Sequence, residues 1–256
     1  MKKQALFHVL ENRSLPDQDF LLKLRPEQAS LEDTLPGQFV NILVPDTPGV
    51  FLRRPISVCD VDIRENLLTL YVKKVGKGTV GLGRCKAGDL IDIIFPLGRG
   101  FDASDTRSPL LLGGGAGIAP LVYLSRKLQE SGITPTVLLA GKTESALSLR
   151  TLFHTEPACC TDDGSFGEKG LITQHSLFRD LKAFDRIFCC GPTPMMKAVA
   201  RLAEAAGIPC EVSLENTMAC GVGACLCCVT PTVEHGNQCV CTEGPVFDSR
   251  ELKDFR

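Results

Sequence analysis

The sequence is short of net charge, of histidine and of uninterrupted apolar stretches. Its 28 Lys and Arg against 30 Asp and Glu leave a formal charge of −2 over 256 residues. That near balance leaves no electrostatic footprint for nucleic acid or for an anionic membrane surface. The 4 histidines are scattered along the chain, and none sits in a constellation that suggests a nucleophile and its base. The most apolar stretch, Leu110 to Leu124, is interrupted by glycines and a proline, and it is shorter than a bilayer crossing needs. Near the start, Lys2 and Lys3 precede only Gln4 to Leu10 before Glu11, Asn12 and Arg13. This is too short and too interrupted for the apolar core of an export signal. A soluble cytoplasmic protein is expected, where thiols stay reduced unless they bind metal.

What the chain has in excess is cysteine. Thirteen cysteines in a chain with 44% apolar residues do not suit a small secreted disulfide scaffold, because the count is odd and the chain can bury its own core. They are also unevenly placed, two before residue 105, five in 105–212 and six in the last 44 residues.

Three compositional regions follow, with boundaries set at 1–102, 103–212 and 213–256. The first holds β-rich runs broken by Pro and Gly: Phe20–Leu24, Gln38–Val44, Leu67–Val72 and Leu90–Phe95. Many short strands without a long helical pattern predict an antiparallel barrel. The second alternates strands and helices: a strand Pro109–Leu112, a helix Pro120–Ser131, a strand Thr136–Ala140, a strand Arg186–Gly191 and a helix Pro194–Ala206. That alternation predicts a parallel, doubly wound sheet. The third is rich in Cys and Gly and has little periodicity.

In the third region Cys220, Cys225 and Cys228 form the spacing C-x4-C-x2-C, with a fourth cysteine at Cys239 or Cys241. This is the plant-type [2Fe–2S] pattern, in which one loop wraps around two bridged irons. Gly221 and Gly223 free the loop backbone to fold and to aim amides at sulfur. A zinc site is the rival reading, but zinc ribbons favour paired C-x2-C steps and only one is present. Cys227 and Cys239 read as bystanders, and the adjacent pairs Cys159-Cys160 and Cys189-Cys190 as core or neutral residues.

In the second region Gly113-Gly114-Gly115-Ala116-Gly117-Ile118-Ala119-Pro120 follows a strand and opens a helix. Such a turn lets a pyrophosphate approach the helix N-terminus. Gly191-Pro192-Thr193-Pro194-Met195-Met196 is a second strand-to-helix turn. Lys142-Thr143-Glu144, after the next strand, offers one residue of each sign and does not choose between NAD and NADP by charge. In the first region, Arg53-Arg54-Pro55-Ile56-Ser57 and Gly76-Lys77-Gly78-Thr79 combine an arginine with glycine amides, a plausible pyrophosphate clamp.

Taken in order, these segments resemble the ferredoxin–NADP reductase superfamily and, within it, the electron-transfer subunits of class 1B dihydroorotate dehydrogenases. The closest segments are Leu52–Ser57, Asp163–Gly170, Met218–Cys225 and Cys241–Phe247. The last matches the family's C-x-x-G-P-V-F and selects Cys241 over Cys239. The resemblance implies FAD, a [2Fe–2S] cluster and NAD as cofactors. Arg54 would hold the FAD pyrophosphate. Pro55, Ile56 and Ser57 would line the isoalloxazine, Tyr71, Val72 and Lys73 the ribityl and adenine side, and Gly78 and Thr79 the phosphates. Gly115 and Gly117 would lie under the nicotinamide nucleotide, with Gly191 and Pro192 opposite. Cys220, Cys225, Cys228 and Cys241 would ligate the cluster. No general acid or base in the chain is required.

The implied role is passage of electrons from an FMN-containing dihydroorotate-oxidising partner, in a heterotetramer with two of each chain, to NAD⁺ in pyrimidine synthesis. A flavin belongs between the other two groups because it exchanges electrons singly or in pairs. The alternatives are the small subunit of an NADH-dependent ferredoxin–NADP reductase or sulfide dehydrogenase, and a redox sensor without turnover.

Overall fold

Alternation decides the first hundred residues. In the computed structural model, which describes residues 2–255, Phe20, Leu22 and Leu24 are buried while Lys23 and Arg25 stay exposed. This period-2 pattern is that of a strand buried on one face. Six strands close into an antiparallel barrel: β1 (Lys3–Ser14), β2 (Phe20–Pro26), β3 (Phe39–Ile42), β4 (Arg54–Asp62), β5 (Leu67–Val72) and, after a short helix α1 (Lys77–Leu82), β6 (Leu90–Leu97). Their order around the barrel is β1-β2-β5-β4-β3-β6. Closure leaves no unpaired strand edge. Inside, Phe7 meets Phe95 edge to face with ring centres 4.9 Å apart.

The second region forms β7 (Pro109–Gly114), α2 (Ala119–Glu130), β8 (Thr136–Gly141), β9 (Ala158–Thr161), β10 (Glu168–Lys169), β11 (Arg186–Cys190), α3 (Thr193–Ala206) and β12 (Cys210–Ser213). These six strands pair in parallel in the order β10-β9-β8-β7-β11-β12. β7 to β10 run outward on one side, and β11 and β12 on the other. The order therefore reverses between β7 and β11, the switch point where open α/β sheets form a ligand crevice. Helix α3 buries Met196, Val199, Ala200 and Ala203, one face at helical spacing. Gly207 ends it in the left-handed conformation at φ +74, its amide bonded to the carbonyls of Ala203 and Glu204. Cys159, Cys160, Cys189, Cys190 and Cys210 are all buried.

Helix α2 also joins the sheet to the barrel. The Arg126 guanidinium donates to Asp60 Oδ1 on β4 at 2.9 and 2.8 Å. The buried Tyr123 hydroxyl donates to the Thr34 carbonyl at 3.1 Å.

The tail adds a small hairpin of β13 (Val229–Pro231) and β14 (Asn237–Cys239), then β15 (Val246–Asp248). β15 pairs antiparallel with β12 and becomes the edge of the large sheet. Val240, Cys241 and Phe247 share one apolar core with Leu110, Leu112 and Met196. The compositional break at residue 213 is therefore spanned by a shared sheet and core. Among the described residues, no helix is long and apolar enough to cross a membrane.

Candidate functional site

Where barrel, sheet and tail meet, a cavity of about 490 Å³ is lined by Arg54, Pro55, Ile56, Ser57, Tyr71, Lys73 and Thr79 from the barrel. Ala116, Gly117 and Cys190 line it from the sheet, and Leu214, Glu215, Asn216 and Met218 from the start of the tail. Its size and its mix of apolar wall with a few polar groups suit a cofactor. Arg54 Nη1 donates to the carbonyls of Leu52 at 2.7 Å and Arg53 at 3.2 Å, which fixes the guanidinium at the cavity. It crosses directly over Gly78, where a Cβ atom would lie 2.3 Å from Arg54 Nε. Gly78 thus serves by making room and does not itself line the cavity.

The Thr79 hydroxyl accepts from the amides of Val75 at 3.0 Å and Gly76 at 3.2 Å and donates to the Gly76 carbonyl at 3.1 Å. Thr79 lines the cavity, but its hydroxyl is occupied in closing the first turn of α1. Tyr71 donates its hydroxyl to the buried Asp19 carboxylate. Burial, and then that bond, push the phenol's pKa far up, so it stays a proton donor.

One expected contact fails. Val72 is fully buried in the barrel core. Adjacent residues on a strand face opposite sides, so Tyr71 and Lys73 turn to the cavity and Val72 turns away.

A second cavity, about 740 Å³, opens at the switch point and is lined by Gly114, Gly115, Lys142, Thr143, Pro192 and Met195, among others. Gly115 has φ +55 with open space where a Cβ would lie. Lys73 lines both cavities and marks where they adjoin. The other two glycines expected here do different work. Gly117 lines the first cavity, and a Cβ there would lie 2.4 Å from the Cys190 carbonyl oxygen. Gly191 lets the two strand-to-helix turns close, since a Cβ there would lie 2.7 Å from Met195 Cε and 3.2 Å from Gly114 Cα.

The second cavity also holds Asp17, which sequence reasoning missed. Asp17 and Gln18 carry positive φ angles of 59° and 64° in the β1–β2 turn, and Ser145 Oγ donates to Asp17 Oδ2 at 2.8 Å. The turn was legible in Pro16-Asp17-Gln18-Asp19, but its destination across the fold was not.

In the tail Cys220 lies beside Cys225, and Cys228 borders both Cys241 and Cys239. The Cys241 amide donates to Cys228 Sγ at 3.4 Å. Two bridged irons need four thiolates, two on each. Among the described residues, no three His, Cys, Asp or Glu side chains gather as a single ion would require. The loop amides are aimed at sulfur: Val222 N–H donates to Cys220 at 3.4 Å and Gly223 N–H to Cys241 at 3.2 Å. The Val222 amide, with those of Cys225 and Ala224, brings the Cys220 thiol down to about 6. Burial, then the neighbouring Cys228 thiol, pushes Cys241 up to about 12. Gly221 and Gly223 have φ angles of +70° and +87°, which supplies the left-handed backbone the loop needs. Cys227 is exposed and donates to the Thr217 carbonyl at 3.6 Å. Cys239 borders Cys228, but its carbonyl caps the following turn by accepting from Thr242 at 3.1 Å and Glu243 at 2.9 Å. The donor set and the amide cradle fit a [2Fe–2S] cluster.

Residues 215–253, which contain all these thiols, match the model of the iron–sulfur cluster binding domain of dihydroorotate dehydrogenase B. The chain is 37% identical over 256 residues to the "dihydroorotate dehydrogenase B (NAD(+)), electron transfer subunit" of Fusobacterium nucleatum, with 96% of each covered. The chain belongs to the family of dihydroorotate dehydrogenase B electron transfer subunits. The described residues also superpose on a solved NADH-dependent reduced ferredoxin–NADP oxidoreductase from work on electron bifurcation. The TM-score is 0.85 at 31% identity, covering 97% of this chain and 90% of that one. Phthalate dioxygenase reductase, described as a modular structure for electron transfer from pyridine nucleotides to [2Fe–2S], shares the fold at TM-score 0.67 and 15% identity, with 93% and 94% covered.

Proposed function

We propose that this chain is the electron-transfer subunit of an NAD⁺-dependent dihydroorotate dehydrogenase, taking electrons from an FMN-containing catalytic subunit and delivering them to NAD⁺ in pyrimidine synthesis. The observation that carries this reading is adjacency. The two cavities share Lys73, and Asn216 and Met218 wall the first cavity just before Cys220.

When bound, FAD exchanges electrons singly or as hydride, which is what joining a one-electron [2Fe–2S] cluster to nicotinamide requires. The chain's own residues hold and orient. Arg54 would neutralise the FAD pyrophosphate. Pro55, Ile56 and Ser57 would line the isoalloxazine, and Tyr71 and Lys73 the ribityl and adenine side. Gly115 and Pro192 would border the nicotinamide nucleotide. Cys220, Cys225, Cys228 and Cys241 ligate the cluster. Cys241 is chosen over Cys239 because its sulfur accepts a loop amide.

The partner docks at the cluster loop, where Leu226 is 63% exposed at φ +57 between two ligands. An exposed leucine in a left-handed conformation gives a partner an apolar contact beside the cluster. The complex holds two of each chain and works in the cytoplasm. Co-expression with the catalytic subunit tests the reading: the purified complex turns dihydroorotate and NAD⁺ into orotate, NADH and a proton, and neither chain does so alone.

A second reading rests on the likeness to the NADH-dependent ferredoxin–NADP oxidoreductase. In it the chain is the small subunit of such an enzyme, and it would co-purify with a different iron–sulfur flavoprotein and fail the dihydroorotate assay.

A further inference from the structure

Asn41 is a polar residue in the middle of a barrel strand, and 1% of its surface is exposed. Its amide nitrogen donates to the backbone carbonyl of Cys220 at 3.2 Å, across 179 residues of sequence. Its amide oxygen is buried and has no partner among the described residues. The loop comes so close that a Cβ on Gly221 would lie 2.5 Å from Asn41 Nδ2. A buried acceptor left unpaired is a standing desolvation cost, and an apolar residue of similar shape would avoid it.

The position of Asn41 explains what that cost secures. On β3, Phe39 and Asn41 are two residues apart and so share a face. Phe39 lines the first cavity, while Asn41 holds the cluster loop. Two strand residues span roughly 7 Å. Across the ladder, Asn41 pairs with Pro55 and Phe39 pairs with Ser57, both of which line the cavity. From behind, Arg53 Nη1 reaches the Asn41 carbonyl at 3.4 Å and is anchored by Asp92 at 2.7 Å. One short strand therefore touches both redox sites.

We propose that Asn41 is a positioning residue: it pins the Cys220 end of the cluster loop to the flavin-side strand and thereby sets the separation and coupling of the cluster and FAD. This rests on the functional reading above, in which Cys220 is a ligand and the first cavity holds FAD.

The test uses the full chain loaded with iron and FAD, as wild type, Asn41→Leu and Asn41→Asp. Both variants keep the side-chain shape. Asn41→Leu removes the donor to Cys220, whereas Asn41→Asp can restore it only by holding a proton on its buried carboxyl. Three quantities are read: iron and FAD content, the EPR spectrum and midpoint potential of the cluster, and the single-turnover rate at which NADH reduces the cluster relative to the flavin. Removing a partner just outside a metal's ligands typically costs roughly ten-fold or more. The expected result is a cluster that loads but has an altered EPR spectrum, with cluster reduction slowed about ten-fold relative to flavin reduction. A loaded Asn41→Leu chain with wild-type spectrum, potential and relative rate overturns the proposal. Wild-type chain that binds neither iron nor FAD overturns the functional reading itself.

Gly221→Ala approaches the same contact from the other side and gives a second handle. It should disturb the cluster spectrum through strain at φ +70 and through the clash with Asn41, and only the second part should ease in an Asn41→Ala background. Strict additivity of the two changes would contradict direct coupling.

Discussion

Arg54 and Gly78 share a space that admits one side chain: a methyl on Gly78 would fall 2.3 Å from Arg54 Nε. The glycine of the helix-opening turn exists for the arginine of the neighbouring strand. Gly78→Ala should push the guanidinium off its carbonyl partners and weaken FAD binding, although alanine is the better helix former by about 0.5–1 kcal/mol. Arg54→Ala should weaken it by about 1.5–3 kcal/mol, roughly ten- to a hundred-fold in affinity. Flavin content and fluorescence titration read both, and the double variant should be little worse than Arg54→Ala. FAD binding at wild-type strength in Gly78→Ala would show that Arg54 is not the anchor.

Cys228 and Cys239 sit next to each other, so substitution separates ligand from bystander. Cys228→Ser should abolish the cluster's visible absorbance and its EPR signal on reduction. Cys239→Ser should retain both. Iron analysis of the two proteins checks the assignment.

Tyr71 and Asp19 form a buried donor–acceptor pair behind the first cavity. Tyr71→Phe leaves Asp19 Oδ2 without its donor and should cost about 1–3 kcal/mol in stability. Adding Asp19→Leu removes that unpaired oxygen but also the acceptor of the Lys74 amide, so it should restore only part of the loss. Urea unfolding of the single and double variants measures the difference.

Asp185 ties the start of β7 to β11. Partial burial pushes its pKa up. The Thr106 hydroxyl and the amides of Arg107 and Ser108 outweigh that, so the net shift is downward from 3.8. A lowered carboxylate pKa stabilises the fold above the unfolded value and ceases to do so as pH falls through the folded one. Asp185→Ala should therefore be less stable than wild type by about 0.5–1.5 kcal/mol at neutral pH, given its exposure. The gap should close in thermal melts below pH 3.8.

What could be read from the sequence divides by the range of the interaction involved. The cluster-binding segment was legible because one loop must supply three thiolates at set spacing, and chemistry dictates that spacing. The barrel and the parallel sheet were legible from local period and from glycine turns. Val72 was misplaced because strand parity, not motif membership, decides which of Tyr71, Val72 and Lys73 faces the cavity. Gly117 and Gly191 lie in the two strand-to-helix turns, and they are glycines because those turns must touch, which only the packing of β7 beside β11 reveals. Asp17, Asn41 and the pairing of β15 with β12 depend on partners more than thirty residues away, and no local pattern encodes them.

The most direct test of the account is electron delivery through the assembled complex. Wild-type chain and Cys225→Ser are each co-purified with the catalytic subunit, and two rates are measured: NADH formation from dihydroorotate and NAD⁺, and NADH-dependent dye reduction. The account predicts that Cys225→Ser loses the first and keeps the second, because the nucleotide and flavin cavities do not depend on the cluster loop's thiol. Dihydroorotate-dependent NADH formation at the wild-type rate in Cys225→Ser would contradict it.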